Sequence, residues 1–212
     1  MPSKQLARVV LLFVLAVILT LAVIGRYFGY FDAKPSQQAL IELGFFQFDE
    51  PRALTPIDLM DLQGVSATLT NRHNHWQLVN FGYMFCPDIC PVNLRFINQL
   101  TTAWAEVNAD TVIKMVHITF DPQRDTPEKL RQYLDYYNPE YTGLSGSLDN
   151  IRQLAQQLSV LFIHEEPDEY GNYFISHSDS IALLNPAGEY VGMFKGPYDI
   201  DKAMAVLKQV VK

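Results

Sequence analysis

Cysteine is nearly absent from this chain: two in 212 residues, Cys86 and Cys90, in one short loop. At most one disulfide can form between them, so a cross-linked scaffold is excluded and the fold must rest on a buried core. The roughly 170 residues after the N-terminal segment are enough for one domain of ordinary size. Basic residues are also scarce. All 23 acidic residues follow Arg26, whereas Lys4, Arg8 and Arg26 take three of the 16 bases, so the remainder carries a net charge of −10. Phosphates need a basic surface, which excludes a nucleic-acid partner. The acidic excess suits ordinary solubility and is compatible with a cationic ligand or a basic protein partner. Internal repeats and low-complexity stretches are missing, and long apolar runs are missing except for one.

That run, Val9 to Gly25, has no charge and only Thr20 as a polar side chain. As a helix it spans roughly 26 Å, near the thickness of a bilayer core. Lys4 and Arg8 precede it, and Arg26, Tyr27, Phe28 and Tyr30 follow as a basic and aromatic interface. A cleaved signal peptide is the rival reading, but its small-residue cleavage box is poor, Val23-Ile24-Gly25 being the best candidate. The sequence therefore predicts a cytoplasmic N-terminus over 1–8, an uncleaved transmembrane anchor over 9–26, a tether and lead-in over 27–50, and a functional domain over 51–212. Positive charge ahead of the span puts the domain on the far side of the membrane. In a bacterial inner membrane that side is the oxidising periplasm.

Within the domain, Gln77 to Phe85 reads as a strand, and Leu94, Phe96, Ile97, Leu100, Trp104 and Val107 recur at helical spacing, giving a helix from Pro91 to about Val107. Val112 to Phe120 is a near-continuous apolar strand of the kind buried on both faces. Pro127 opens a second helix and Ser147 a third. Val160 to Glu165 reads as a strand, Asp179 to Phe194 as a hairpin turning at Asn185 to Gly188, and Asp199 to Val211 as a final helix. A βαβ unit followed by a hairpin and a helix is an α/β, thioredoxin-like layout: a central mixed sheet flanked by helices, here preceded by one transmembrane helix.

The cysteines fall between the first central strand and its helix. Pro87 and Pro91 disfavour the α region at Cys86 and Cys90, which places Cys90 at the helix N-cap, where free N–H groups favour a thiolate. The three-residue gap is neither the C-x-x-C of a dithiol oxidoreductase nor a single peroxidatic cysteine. It leaves open a structural disulfide or a metal pinch. A disulfide closing so short a loop would stabilise little. Among the histidines, His73 and His75 read as exposed loop residues, His117 as a satisfied core side chain, and His164 as a solvated strand end. His177, just before the hairpin, lies at a junction that packs beside the cysteine loop in this layout. Two thiolates and an imidazole suit Cu(I), and imidazole also accommodates Cu(II). Zinc would want a fourth ligand.

Phe81-Gly82-Tyr83 through Cys86-Pro87-Asp88-Ile89-Cys90-Pro91, then Asp121-Pro122-Gln123-Arg124-Asp125-Thr126-Pro127, then His177-Ser178 ahead of Ile181 to Gly188, resemble the three signatures of the Sco/SenC/PrrC proteins. These are membrane-tethered, thioredoxin-like copper proteins, and the similarity runs from about Leu54 to the end. The resemblance implies copper, as Cu(I) or Cu(II), held by Cys86, Cys90 and His177. It implies delivery to the Cu(A) site of cytochrome c oxidase subunit II, with other copper chaperones or thiol oxidoreductases as further partners. Reduction of that site's cysteines is a second role ascribed to the family; Cys86 and Cys90 would then be the redox-active pair. A copper or redox sensor is a third reading. Met84 departs from the polar residue common two places before the first cysteine and reads as core filler. Asp88 reads as a residue that influences the loop's charge or a partner contact, and Asp121 and Arg124 as structural groups rather than ligands.

Overall fold

The computed structural model describes residues 4–27, 35–70 and 74–211, in two compact units, Met1–Ser36 and Gln37–Lys212. His73 lies outside the described residues. Among the described residues the first unit holds one helix, α1 (Lys4–Tyr27). Its Lys4–Gly25 stretch has a mean hydropathy of 2.9 and buries nothing against protein. A helix that is apolar on every side has no face to turn to water, so α1 is compatible with a single-pass membrane anchor.

The second unit contains, in chain order, α2 (Gln37–Glu42), β1 (Phe45–Arg52), β2 (Leu59–Asp61), β3 (Ser66–Ala67), β4 (Trp76–Gly82), α3 (Ile89–Val107), β5 (Ile113–Thr119) and α4 (Pro127–Tyr137). There follow β6 (Thr142–Ser145), α5 (Leu148–Gln157), β7 (Phe162–His164), β8 (Ile175–His177), β9 (Ser180–Leu184), β10 (Tyr190–Lys195) and α6 (Ile200–Val210). Eight strands form one sheet in the order β1-β10-β9-β4-β5-β6-β2-β3. β4, β5 and β6 run parallel, joined through α3 and α4, and β9 runs antiparallel to β4. This is the mixed, thioredoxin-like sheet the sequence predicts.

The central strands are buried on both faces, as their continuous apolar runs require: all seven residues of β4 are buried. Leu78, Met115 and Leu183 face one core with Leu94, Ile97 and Leu100 of α3 and Val206 of α6. Val79, Phe81, Val116 and Ile118 face the other with Ile151 and Leu154 of α5. Each such side chain contributes about 1.5–3 kcal/mol by leaving water. Helix starts follow local chemistry. Pro127 occupies the first turn of α4, and the N-caps Ser147 and Asp199 accept from the backbone N–H of Asn150 and Lys202 at 3.2 and 2.9 Å.

Three features depart from the sequence reading. The lead-in assigned to 27–50 is not all tether, because Leu40 of α2 and Phe45 of β1 are buried in the core and β1 pairs with β10. β1 escapes pattern reading because it is an edge strand whose second half is exposed and carries Pro51, which an edge tolerates. β6 is only four residues long and lies between β5 and β2, too short to show a period. The strand expected over 160–165 exists as β7, but it pairs with β8 in a separate two-stranded sheet.

Candidate metal centre

β4 ends at Gly82, and the chain turns through Tyr83 to Asp88 before α3 begins. Cys86 sits in the turn, its backbone N–H donating to the Tyr83 carbonyl at 3.2 Å. Cys90 is not an N-cap, as the prolines suggest. Asp88 holds that place, and Cys90 and Pro91 lie in the first helical turn. Backbone N–H groups there have no intrahelical partner, so Pro91 removes no hydrogen bond, and the pre-proline bias at Cys90 is overcome by packing.

His177 arrives from the far end of the domain. It ends β8 opposite Phe162, and its ring lies 4.9 Å from that of Phe120 and 6.2 Å from that of Tyr83. The Tyr83 hydroxyl accepts from the backbone N–H of Ile175 at 3.1 Å, tying the cysteine turn to β8. The next residue is pinned as well, since the Ser178 N–H donates to the Leu161 carbonyl at 2.9 Å. Nδ1 of His177 lies 3.0 Å from the Ser178 carbonyl, which can only accept, so the proton is on Nδ1 and Nε2 presents a lone pair. That Nε2 is 3.5 Å from Cys90 Sγ and 4.0 Å from Cys86 Sγ. The three ligand atoms lie within 4.8 Å of one another, and among the described residues they form the one such cluster of three or more His, Cys, Asp or Glu.

Both cysteines are free thiols, buried to different depths, with Cys86 8% exposed and Cys90 fully enclosed. They share a proton unequally. A hydrogen bond from Cys90, with the backbone N–H groups of Asp88 and Cys90, holds Cys86 well below the usual thiol range against the opposing effect of burial. The hydrogen bond with Cys86, burial and the neighbouring thiolate push Cys90 up. The thiolate is therefore Cys86, not Cys90 as the sequence suggests, because Cys90 donates to it and the backbone N–H groups of Asp88 and Cys90 reach it. Two sulfurs and a nitrogen in this arrangement suit a soft, low-coordinate ion such as Cu(I).

The other residues singled out sort themselves around this core. Asp121 is buried, ion-paired with Arg124 and bonded by the Tyr173 hydroxyl at 2.8 Å; the Arg124 guanidinium also lies 4.9 Å over Phe85. These are structural contacts that brace the cysteine turn, as expected. Met84 packs on the core, and Asp88 is exposed. His164 is half-buried between Phe162 and Tyr173 rather than solvated. His117 is buried as expected but only half satisfied: Nε2 has no partner.

Asp125 is the residue the sequence reading passed over. Its carboxylate accepts from the Met84 N–H at 3.1 Å and from the Thr119 hydroxyl at 2.6 Å, holding the end of β5 to the cysteine turn. Burial is the largest influence on it and pushes its pKa up to about 6. A carboxyl raised in the folded state holds its proton longer than the unfolded chain does, so stability falls as pH rises from about 4 to about 6. Asp125→Asn is expected to gain up to about 3 kcal/mol relative to the native chain across that window and nothing below it. Urea unfolding at pH 4 and pH 7 reads the difference.

Comparison with known proteins bears on the same region. A sequence model of the SCO1/SenC family matches residues 49–212. A protein of Stutzerimonas stutzeri is 33% identical over 162 residues, covering 76% of this chain and 78% of its own. Among solved structures, Arabidopsis thaliana ScoI with copper bound is 28% identical with a TM-score of 0.68, over 74% of this chain and 96% of that one. Bradyrhizobium japonicum ScoI with copper bound is 31% identical with a TM-score of 0.64, over 74% and 98%. With its sheet and its Cys-Cys-His cluster in place, the chain belongs to the SCO1/SenC family.

Proposed function

We propose that this protein is a copper metallochaperone that carries its cargo on Cys86, Cys90 and His177. It delivers that cargo to the Cu(A) site of cytochrome c oxidase subunit II. The observation that carries this reading is the convergence of two sulfurs and one available imidazole nitrogen within 4.8 Å, with no fourth ligand in the cluster among the described residues. An open, three-donor site holds a soft ion and still lets an incoming thiolate displace a ligand. Copper-bound structures of related family members support the choice of metal. Phe85 in the cysteine turn, Leu161 and Ile163 at β7 and Phe174 beside β8, all more than half exposed, suit a protein partner docking there. α1 anchors the domain on the periplasmic face of a bacterial inner membrane in this reading.

Copper titration of the reduced chain and its single-ligand variants tests it. His177→Ala is expected to weaken Cu(II) about a hundredfold and Cu(I) about tenfold, since two thiolates alone still satisfy the softer ion. Copper binding no greater than that of the Cys86→Ser/Cys90→Ser double variant would end the proposal.

The unequal sharing of the proton favours a second reading, a thiol–disulfide oxidoreductase. The Cys86 thiolate would attack a partner disulfide and release one partner thiolate. Cys90, losing its proton, would then displace the second sulfur, leaving the pair oxidised and the partner reduced. His177 is dispensable for that chemistry, so His177→Ala separates the two.

A further inference from the structure

A line of buried polar side chains runs behind Cys90, and none of it belongs to the cluster described above. Asn80 and His117 are paired across β4 and β5, and Asn93 descends on them from α3; their exposures are 0%, 0% and 2%. Asp179 Oδ1 accepts from the Tyr198 hydroxyl at 2.7 Å and from Asn93 Nδ2 at 3.0 Å. The same Asn93 amide reaches Asn80 Oδ1 at 3.3 Å, and Asn80 Nδ2 lies 3.2 Å from His117 Nδ1. A carboxylate can only accept, so Asn93 must turn its NH2 toward it, which turns the Asn80 oxygen to Asn93 and the Asn80 NH2 to His117. Nδ1 of His117 is therefore an acceptor.

This ring is completely buried, where a charge would go unsolvated, so it is neutral. A neutral ring with an accepting Nδ1 carries its proton on Nε2, and that buried N–H has no partner. The Cys90 sulfur lies on the same side of β4 as this ring. The two converge over Gly82, where an added Cβ would meet Cys90 Sγ at 2.8 Å and His117 Cε1 at 3.0 Å. A thiol needs no donor there. A thiolate ligand does.

We propose that His117 is a positioning residue whose Nε2–H donates a hydrogen bond to the Cys90 sulfur once that sulfur is a metal-bound thiolate, with Asn80, Asn93 and Asp179 setting the tautomer. This rests on the copper reading above. A donor to the sulfur withdraws electron density from the metal–thiolate bond and so favours Cu(I) over Cu(II). Orphaning a buried N–H in the metal-free state is the cost that the loaded state removes.

The full-length chain in detergent micelles tests this with Cu(I) affinity by chelator competition, Cu(II) affinity by direct titration, and the thiolate-to-Cu(II) absorption band. His117→Phe is expected to shift the Cu(I)-over-Cu(II) preference about tenfold toward Cu(II) and to move the band to lower energy. His117→Gln, whose amide reaches the Nε2 position, restores most of both. Nitrogen-15 NMR of the metal-free protein is expected to show the His117 proton on Nε2. A proton on Nδ1, or a His117→Phe protein with native preference and band, would overturn the inference while leaving the copper reading intact. A native chain that binds no copper would overturn both.

Discussion

Cys90→Ala is expected to strip the protein of copper while leaving it folded. Two thiolates make the site selective for a soft ion, and losing one leaves a sulfur and a nitrogen that exposed residues of many proteins also offer. The loss expected is on the order of a thousandfold in Cu(I) affinity, equivalent to about 4 kcal/mol. The substitution keeps the Cβ and removes only the sulfur, so its cost to folding is about 1 kcal/mol and the thermal midpoint moves by a few degrees. A second effect follows from the shared proton. The hydrogen bond from Cys90 is the largest influence lowering Cys86, so its removal raises the Cys86 pKa toward the ordinary thiol range. Alkylation of Cys86 at pH 6 should then slow, even though its thiol is no less accessible. Undiminished Cu(I) retention in this variant would show that the metal is held elsewhere, and undiminished alkylation would show that Cys86 is ionised by the backbone amides without its neighbour.

Cys86→Ser and His177→Ala are not equivalent to it. His177 stands on a two-stranded sheet of its own, tied to the cysteine turn through Tyr83 and, through Ser178, to Leu161 just before β7. Its arm of the site is the one an approaching partner can move without disturbing the main sheet. The two cysteines, by contrast, lie in the turn after β4 and the first turn of α3, continuous with the main sheet. A site whose nitrogen donor comes from a separate sheet can open on that side, which is what transfer by ligand exchange requires.

The parts of this arrangement that were legible in the sequence are those carried by a strong period or a strong local rule. β4 and β5 show as apolar runs because both faces are covered, α3 and α5 show as apolar stripes, and α4 shows through Pro127. The cysteine pair was visible for its isolation, and His177 for its place before the hairpin and its match to a family signature. β1 and α2 were not legible, since an edge strand with an exposed half and a six-residue helix carry little pattern. The helical position of Cys90 runs against the pre-proline bias because packing outranks a local preference. The chain from Asp179 to His117 was hidden for a different reason: its members come from four separated elements, and no spacing connects them. Its one sequence signal was a polar residue set inside each of two apolar strands, Asn80 and His117, at positions where burial demands a partner.

Gly82→Ala should damage the site more than its size suggests. The added Cβ would lie 2.8 Å from Cys90 Sγ, 3.0 Å from His117 Cε1 and 3.4 Å from Cys90 Cβ, so something must move. The strand cannot readily do so. Gly82 is paired with Thr119 in the parallel ladder, and its carbonyl accepts from the Phe120 N–H at 2.8 Å. The His117 ring is held by Asn80 on a strand with no exposed side at that point. Cys90 has the looser footing: it lies in the first helical turn, where the backbone N–H groups have no helical partners, and its sulfur turns on a single bond. The sulfur therefore gives way and leaves the position from which it faces His177 at 3.5 Å. Overpacking of this kind costs about 1–3 kcal/mol, a fall of roughly 4–8 °C in the thermal midpoint for 2 kcal/mol in a domain of this size. Cu(I) affinity is expected to fall about a hundredfold, because a ligand held in a wrong rotamer must be strained back to bind. Adding His117→Ala to Gly82→Ala relieves the contact with the ring but not with the sulfur, so it should recover stability without recovering copper. Recovery of copper in the double variant would mean that the ring, not the sulfur, had been the part displaced.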